Sequence, residues 1–291
     1  MLDVAAFIVL VTIVTVLLNL LISPRGRRRA AGLTISILVS FLLSATGTFQ
    51  LSRSRSFQFF GHLITAKPTE EKLVALTFDD GPTARYTSEI LDVLRREGVT
   101  ATFFLIGRDM EGEPRATQLI AEAGHEIGNH SLTHQRMMFK SEGWIRREIE
   151  RTDALIRQSG YSGPIHFRLP YGKRFVSLPY YLMRNKRLNI FFDVEPESDP
   201  EIAANRDAIV RDVLRRTTQG SIVLLHVMYK SRAPSREALP AIIQGLKNRG
   251  YRFVSVSALL SAREQPQRVV DIPELLFQAK LTRPTSDSPL N

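Results

Sequence analysis

The chain has 291 residues, enough for one large domain or two small ones, and its 44% apolar and 23% charged content excludes a disordered, collagen-like or low-complexity protein. It has no Cys, which excludes a disulfide framework, a thiolate nucleophile and every Cys-ligated metal site. The net charge of +10 is uneven: the first 60 residues hold six Arg and one acid, Asp3, and the rest is only mildly basic, which is not the footprint of a nucleic-acid binder.

In chain order, the first features are apolar. Residues 4–22 carry no charge and would reach about 28 Å as a helix, against a bilayer core of ~30 Å. Residues 32–51 form a second uncharged stretch. Between them, residues 23–31 hold Pro24, Gly26 and four Arg. The pattern predicts a membrane anchor over residues 1–66, with transmembrane helices at 4–22 and 32–51. The Arg-rich loop 23–31 then faces the cytoplasm by the positive-inside rule. Arg53 and Arg55 pull the other way, two against four. The alternative is a cleaved signal with small residues near 45–47. Either arrangement puts the rest of the chain outside the cytoplasm; the uncleaved anchor is expected to hold it at the cell membrane, facing the periplasm or the extracellular side.

From residue 72, short apolar runs alternate with amphipathic stretches. The pattern predicts strands at 72–78, 100–106, 125–130, 165–170, 188–194, 221–227 and 251–256. Helices are predicted at 87–96, 114–123, 141–159, 205–218 and 235–249. Pro114 opens one of them, and Gly124, Gly160 and Gly250 follow the ends of three. Such alternation predicts an α/β fold with a parallel sheet, most simply a closed or nearly closed β/α barrel of about seven strands, or else a doubly wound sheet. The catalytic domain is expected over 67–262 and an extended or disordered tail over 263–291. In both architectures the chemistry gathers at the C-terminal ends of strands.

Those ends carry an unusual set of residues. TFDDGP (77–82) places Asp79 and Asp80 side by side before a Gly-Pro turn, and a turn starting there brings both to one mouth; a solvated Asp-Asp turn is the plainer reading. NHSLTH (129–134) spaces His130 and His134 four apart, which on a helical turn puts both imidazoles on one face for a metal ion. Two imidazoles and one carboxylate leave a position open for water, as in catalytic sites. RLPYG (168–172) puts Arg168 at another strand end, where a guanidinium suits a carboxylate or an oxyanion. SIVLLH ends on His226, either a satisfied core histidine or a general acid with a pKa near the working pH.

In this order, TFDDGP, HEIGNHSLTH, RLPYG and IVLLH, with ATFFLIG at 101–107, resemble the polysaccharide deacetylase family built on the NodB homology domain, carbohydrate esterase family 4. The resemblance covers roughly residues 70–262. It implies a distorted β/α barrel and a divalent metal, usually zinc, held by Asp80, His130 and His134. It implies Asp79 as base, the main-chain N–H of Tyr171 as oxyanion donor and His226 as acid. The reaction implied is removal of N-acetyl groups from an N-acetylglucosamine-containing glycan. One motif departs: in FFDVEPESDP (191–200), Glu195 best matches the first expected Asp, Ser198 falls where the second belongs and Asp199 replaces a Trp. Glu195 is expected to hold Arg168 or His226. Two further readings stay open: an inactive, membrane-tethered carbohydrate-binding relative, and a deacylase or deformylase of a lipid-linked sugar.

Overall fold

The computed structural model of the protein describes residues 57–173 and 175–264, with scattered positions between 13 and 47. The loop 23–31 and the tail beyond 264 lie outside the described residues, as do all but three residues of the expected span 4–22 and about half of the expected span 32–51. Among the described residues, no helix is long and apolar enough to cross a membrane.

The strands in chain order are β1 (Leu63–Ile64), β2 (Leu73–Asp79), β3 (Thr102–Leu105), β4 (Glu126–Asn129), β5 (Asn189–Ile190), β6 (Ser221–His226) and β7 (Arg252–Val254). The helices are α1 (Ala84–Glu97), α2 (Gly107–Gly112), α3 (Pro114–Glu122), α4 (Glu142–Gln158), α5 (Ser177–Arg184), α6 (Pro200–Ala203), α7 (Arg206–Arg216), α8 (Ala233–Asn248) and α9 (Val256–Ser261). Every pairing between strands is parallel.

β2 is the central stave. Its sequence LVALTFD is buried at every position, as a strand covered on both faces must be. β6 runs along one edge, from Val74 opposite Ser221 to Asp79 opposite His226. The other edge is shared: β7 takes its first half and β3 its second, which distorts the barrel. β4 follows β3, and single parallel bridges from Asn129 to Phe167, Phe167 to Asn189 and Val194 to Val223 carry the ring round to β6. The α/β barrel expected from the sequence is therefore present, with two weak staves. Phe78, Phe103, Leu105 and Ile127 pack with Ile90, Leu94, Ile120 and Ile156 of the helices in the main core cluster, each contributing about 1.5–3 kcal/mol by burial.

The weak staves fall where full strands were expected. Residues 165–170 keep only the bridge at Phe167, and 188–194 shrink to β5. The buried Arg168 is the reason. Its Nε and Nη2 donate to the carbonyls of Ile190 and Phe191, at 3.2 and 3.0 Å, so a side chain takes part of the place of a ladder. The fold also begins ahead of residue 67: β1 pairs with β5, and Ala66 bridges Ser221. Residues 57–66, expected within the anchor, thus include a segment of the barrel. At the other end, Glu264 bridges Thr69.

The helices follow their local signals. α4 buries Ile145, Ile149, Thr152 and Ile156 at helical spacing, and the Ser141 hydroxyl caps it by accepting from the Trp144 N–H. α1 stops at Gly98 in the left-handed region, a conformation that costs glycine nothing.

Candidate active site

The C-terminal ends of β2, β4 and β6 converge on a cleft of about 440 Å³. Asp79 is the last residue of β2. Asp80 follows with φ 77°, which turns its carboxylate to the same mouth. Gly81 continues at φ 68°, and a Cβ there would meet the Met228 side chain at 2.8 Å, so the turn requires glycine. The adjacent carboxylates of the sequence thus do share one site.

His130 and His134 both reach Asp80, but not from a helix. Residues 130–134 form an irregular loop, with Ser131 at φ 67° and His134 at φ 52°. The helical-face geometry expected for the pair is replaced by a clamped loop. The Asn129 side chain accepts from the Ser131 N–H at 2.8 Å, and the Ser131 hydroxyl accepts from the His134 N–H at 3.1 Å. Buried Glu148 accepts from the Thr133 N–H at 2.8 Å and from its hydroxyl. Strained backbone held by neighbouring bonds is a recurring feature of functional sites. In the sequence Glu148 shows only as an acid within the apolar stripe of α4.

The His130 ring sits with Nδ1 2.8 Å from the Arg168 carbonyl, which leaves Nε2 facing the carboxylates. That Nε2 is 3.7 Å from Asp79 Oδ2 and 3.9 Å from Asp80 Oδ1; His134 Nε2 is 3.4 Å from Asp80 Oδ1. One ligand atom from each of Asp80, His130 and His134 lies within 4.8 Å of the others. Asp80 Oδ1 is buried and has no hydrogen-bond partner. A buried carboxylate oxygen without a donor is costly, and a cation between it and two imidazoles removes that cost. The expected ligand set therefore fits a divalent ion. Burial, helped by His130 and opposed by Asp80, pulls the His134 pKa down to about 4, so this imidazole is neutral and able to ligate at pH 7.

Arg168 fills the barrel interior and is fully buried. Its Nη1 donates to Asp79 Oδ1 at 2.7 Å and to Thr77 Oγ1 at 2.8 Å, and its guanidinium lies 4.0 Å from the centroid of Phe104. Burial alone would raise the Asp79 carboxyl. The charges of Arg168, His130 and His226, with the Arg168 hydrogen bond, outweigh it and hold Asp79 below the usual carboxylate range. Arg168 is thus a carboxylate-orienting residue.

His226 lines the same cleft. Its partner is not Glu195. Glu197 Oε2 accepts from the His226 N–H at 2.8 Å and from its ring Nδ1 at 2.5 Å, and Glu197 Oε1 accepts from the Ser235 hydroxyl. Glu195 instead accepts from Ser198, while Arg168 belongs to Asp79. Both expectations for Glu195 are therefore corrected. The short 3₁₀ turn Pro196–Ser198 carries Glu197, two residues further on, to the histidine. Glu195 and Ser198 still line the cleft. Burial lowers the His226 pKa, but the hydrogen bond and charge of Glu197, with the charges of Asp79 and Asp80, raise it to about 9 overall.

Tyr171 stands at the rim, 57% exposed, with φ 59°. Its ring lies 4.8 Å from that of His134, in the ligand loop.

Residues 66–187 match the family model described as polysaccharide deacetylase. A peptidoglycan-N-acetylglucosamine deacetylase of Bacillus cereus is 33% identical over 202 residues, covering 69% of this chain and 93% of that protein. The chain belongs to the polysaccharide deacetylase family. A bifunctional xylanase/deacetylase of Pseudobutyrivibrio xylanivorans is 36% identical over 66% of this chain, which spans only 31% of that longer protein. Among solved structures, a peptidoglycan N-acetylglucosamine deacetylase aligns with a TM-score of 0.65 at 30% identity, over 70% of this chain and 94% of that one. A pseudoenzyme of the family from Bacillus anthracis aligns at 0.62 and 27% identity, over 70% of each chain. Family membership therefore includes proteins with and without activity, and the side chains must carry the functional argument.

Proposed function

We propose that this protein is a divalent-metal-dependent N-deacetylase, with zinc the first choice of ion, acting on an N-acetylglucosamine-containing glycan outside the cytoplasm. The observation that carries the reading is the partnerless Asp80 Oδ1 between two imidazoles, with Asp79 and His226 at the same cleft. Asp80, His130 and His134 would hold the ion. Such an ion supplies Lewis acidity, polarising an acyl carbonyl and lowering the pKa of a bound water to roughly 7.

The chain's own residues supply the rest. Asp79, kept ionised and oriented by Arg168, accepts a proton from the attacking water. The Tyr171 N–H serves the oxyanion that forms on the acetyl oxygen; removing one such donor typically costs ~3 kcal/mol of transition-state stabilisation. His226 is protonated at neutral pH, and with Nδ1 committed to Glu197 it donates from Nε2 to the departing amine. The C–N bond breaks, the amine keeps the proton and acetate leaves.

Anchoring at the membrane by the 4–22 and 32–51 stretches belongs to the same proposal. It is supported by their length and lack of charge, and by Ile35, Phe41 and Leu42, which are helical and more than half exposed. Apolar helical side chains left open in this way suit a lipid surrounding.

The inactive-relative reading draws on the altered 195–199 segment and on the similar pseudoenzyme. The intact set Asp79, Asp80, His130, His134 and His226 argues against it. The test is acetate release by the purified full-length protein on peptidoglycan and N-acetylglucosamine oligomers, after chelation and again after zinc is restored. Release that disappears and returns supports the proposal. Release that is indifferent to chelation contradicts it.

A further inference from the structure

Away from the cleft floor, a cluster of apolar side chains includes one open ring and two half-buried ones. Phe139 is 73% exposed, and its ring lies 5.1 Å from that of Phe175. Phe175 in turn meets Phe59 at 5.9 Å. Val176 and Met183 are exposed nearby in sequence, before and within α5, and a Cβ at Gly61 would meet the Met183 Cβ at 3.3 Å, so residues 59–61 lie against this same surface. Tyr171, four residues before Phe175 in the sequence, lines the cleft.

Cations border the patch, each over an aromatic ring. The Arg136 guanidinium is 5.5 Å from the centroid of Tyr171, and Lys140 Nζ is 4.8 Å from that of Trp144. An apolar centre edged by aromatic rings and long cationic side chains is the composition of a membrane-interface surface. Position points the same way. The apolar stretch 32–51 ends six residues before Phe57, and six residues reach at most ~20 Å. Arg53 and Arg55 fall within that step, where long cationic side chains can reach lipid headgroups.

We propose that this face rests on the anionic bilayer surface that the 32–51 stretch enters, and so holds the cleft mouth against the membrane. The proposal rests on the anchoring argued above. Its consequence for substrate is that the cleft serves glycan attached to, or lying on, the membrane. A sugar-stacking platform fits less well, because the three Phe have no polar group to bond a glycan and their rings stand edge-on or tilted to one another.

Full-length protein in nanodiscs containing anionic lipid tests this directly. Trp144 is the chain's only Trp, so a Trp144→Phe background has no Trp emission of its own. Single reporters are then introduced as Phe139→Trp, Val176→Trp and Phe49→Trp, the last within the apolar stretch. Lipids with brominated acyl chains quench a Trp on contact. The expected result is loss of emission at all three positions relative to unbrominated lipid. Quenching at 49 alone would overturn the proposal while leaving the anchor standing. Quenching at none of the three would remove the anchor and the proposal together. A glycan oligomer that shifts the emission of the 139 reporter where brominated lipid does not would make the patch a sugar platform and also overturn it. Acetate release by the same preparations reports separately on the deacetylase reading.

Discussion

Glu197 holds His226 by two atoms at once: one carboxylate oxygen accepts from the backbone N–H at 2.8 Å and from ring Nδ1 at 2.5 Å. The contact fixes the ring and favours its protonated form. Glu197→Gln keeps the shape and removes the charge. The basic limb of the pH profile of kcat/KM should then move from near pH 9 toward lower pH, and the rate at pH 8 should fall about tenfold to a hundredfold. Glu197→Asp should restore part of the shift. An unmoved basic limb in the Gln variant would remove Glu197 from the account.

The two perturbed groups act on stability in opposite directions. Asp79 titrates below its ordinary 3.8 in the folded protein, so its stabilisation is present above that value and is lost as pH falls through the lower folded one. His226 titrates above its ordinary 6.5, so its contribution is present below 6.5 and is lost as pH rises through about 9. Metal-free wild type should therefore lose unfolding midpoint between pH 7 and pH 9 more steeply than metal-free His226→Ala, as thermal melts would show. Parallel curves for the two proteins would count against the raised pKa.

Ligand and base should separate by metal content. Asp80→Asn and His134→Ala are expected to lose bound zinc and activity together. Asp79→Asn should retain zinc and lose most turnover, because it removes a proton acceptor and leaves the ligand set in place. Elemental analysis beside acetate release reads both. Equal zinc content in the Asp79 and Asp80 variants would break the assignment.

Arg168 is a charge in the middle of a barrel. Arg168→Met leaves Asp79 buried and unpaired, which should cost about 3–5 kcal/mol in urea unfolding. Adding Asp79→Asn to that variant should recover part of the loss, since the orphaned charge is gone. A single variant as stable as wild type would show that the pair does not brace the fold.

Much of this was legible in the sequence, for physical reasons that differ by segment. β2 and β6 are continuous apolar runs, which pack only as buried strands, and their last residues point into the cleft. α4 announced itself by its stripe and its Ser141 cap. The strands at 165–170 and 188–194 were over-read because Arg168 looks like a loop residue until its guanidinium is seen serving Asp79 and two carbonyls. The spacing of His130 and His134 was informative but its helical explanation was not, because Ser131 and His134 adopt positive φ under side-chain clamps that no local pattern reveals. Glu197 was missed because motif matching favoured Glu195, and only the turn at Pro196–Ser198 decides which acid meets His226.

Acetate release and glycan binding, measured on the same zinc-loaded preparations of wild type and His226→Ala, separate a deacetylase from a glycan-binding relative. Wild type should release acetate steadily and the variant should lose ~10²–10⁴ in rate, with zinc content and glycan affinity nearly unchanged. Glycan binding by wild type without any acetate release would contradict the deacetylase reading and make the protein a binding member of its family.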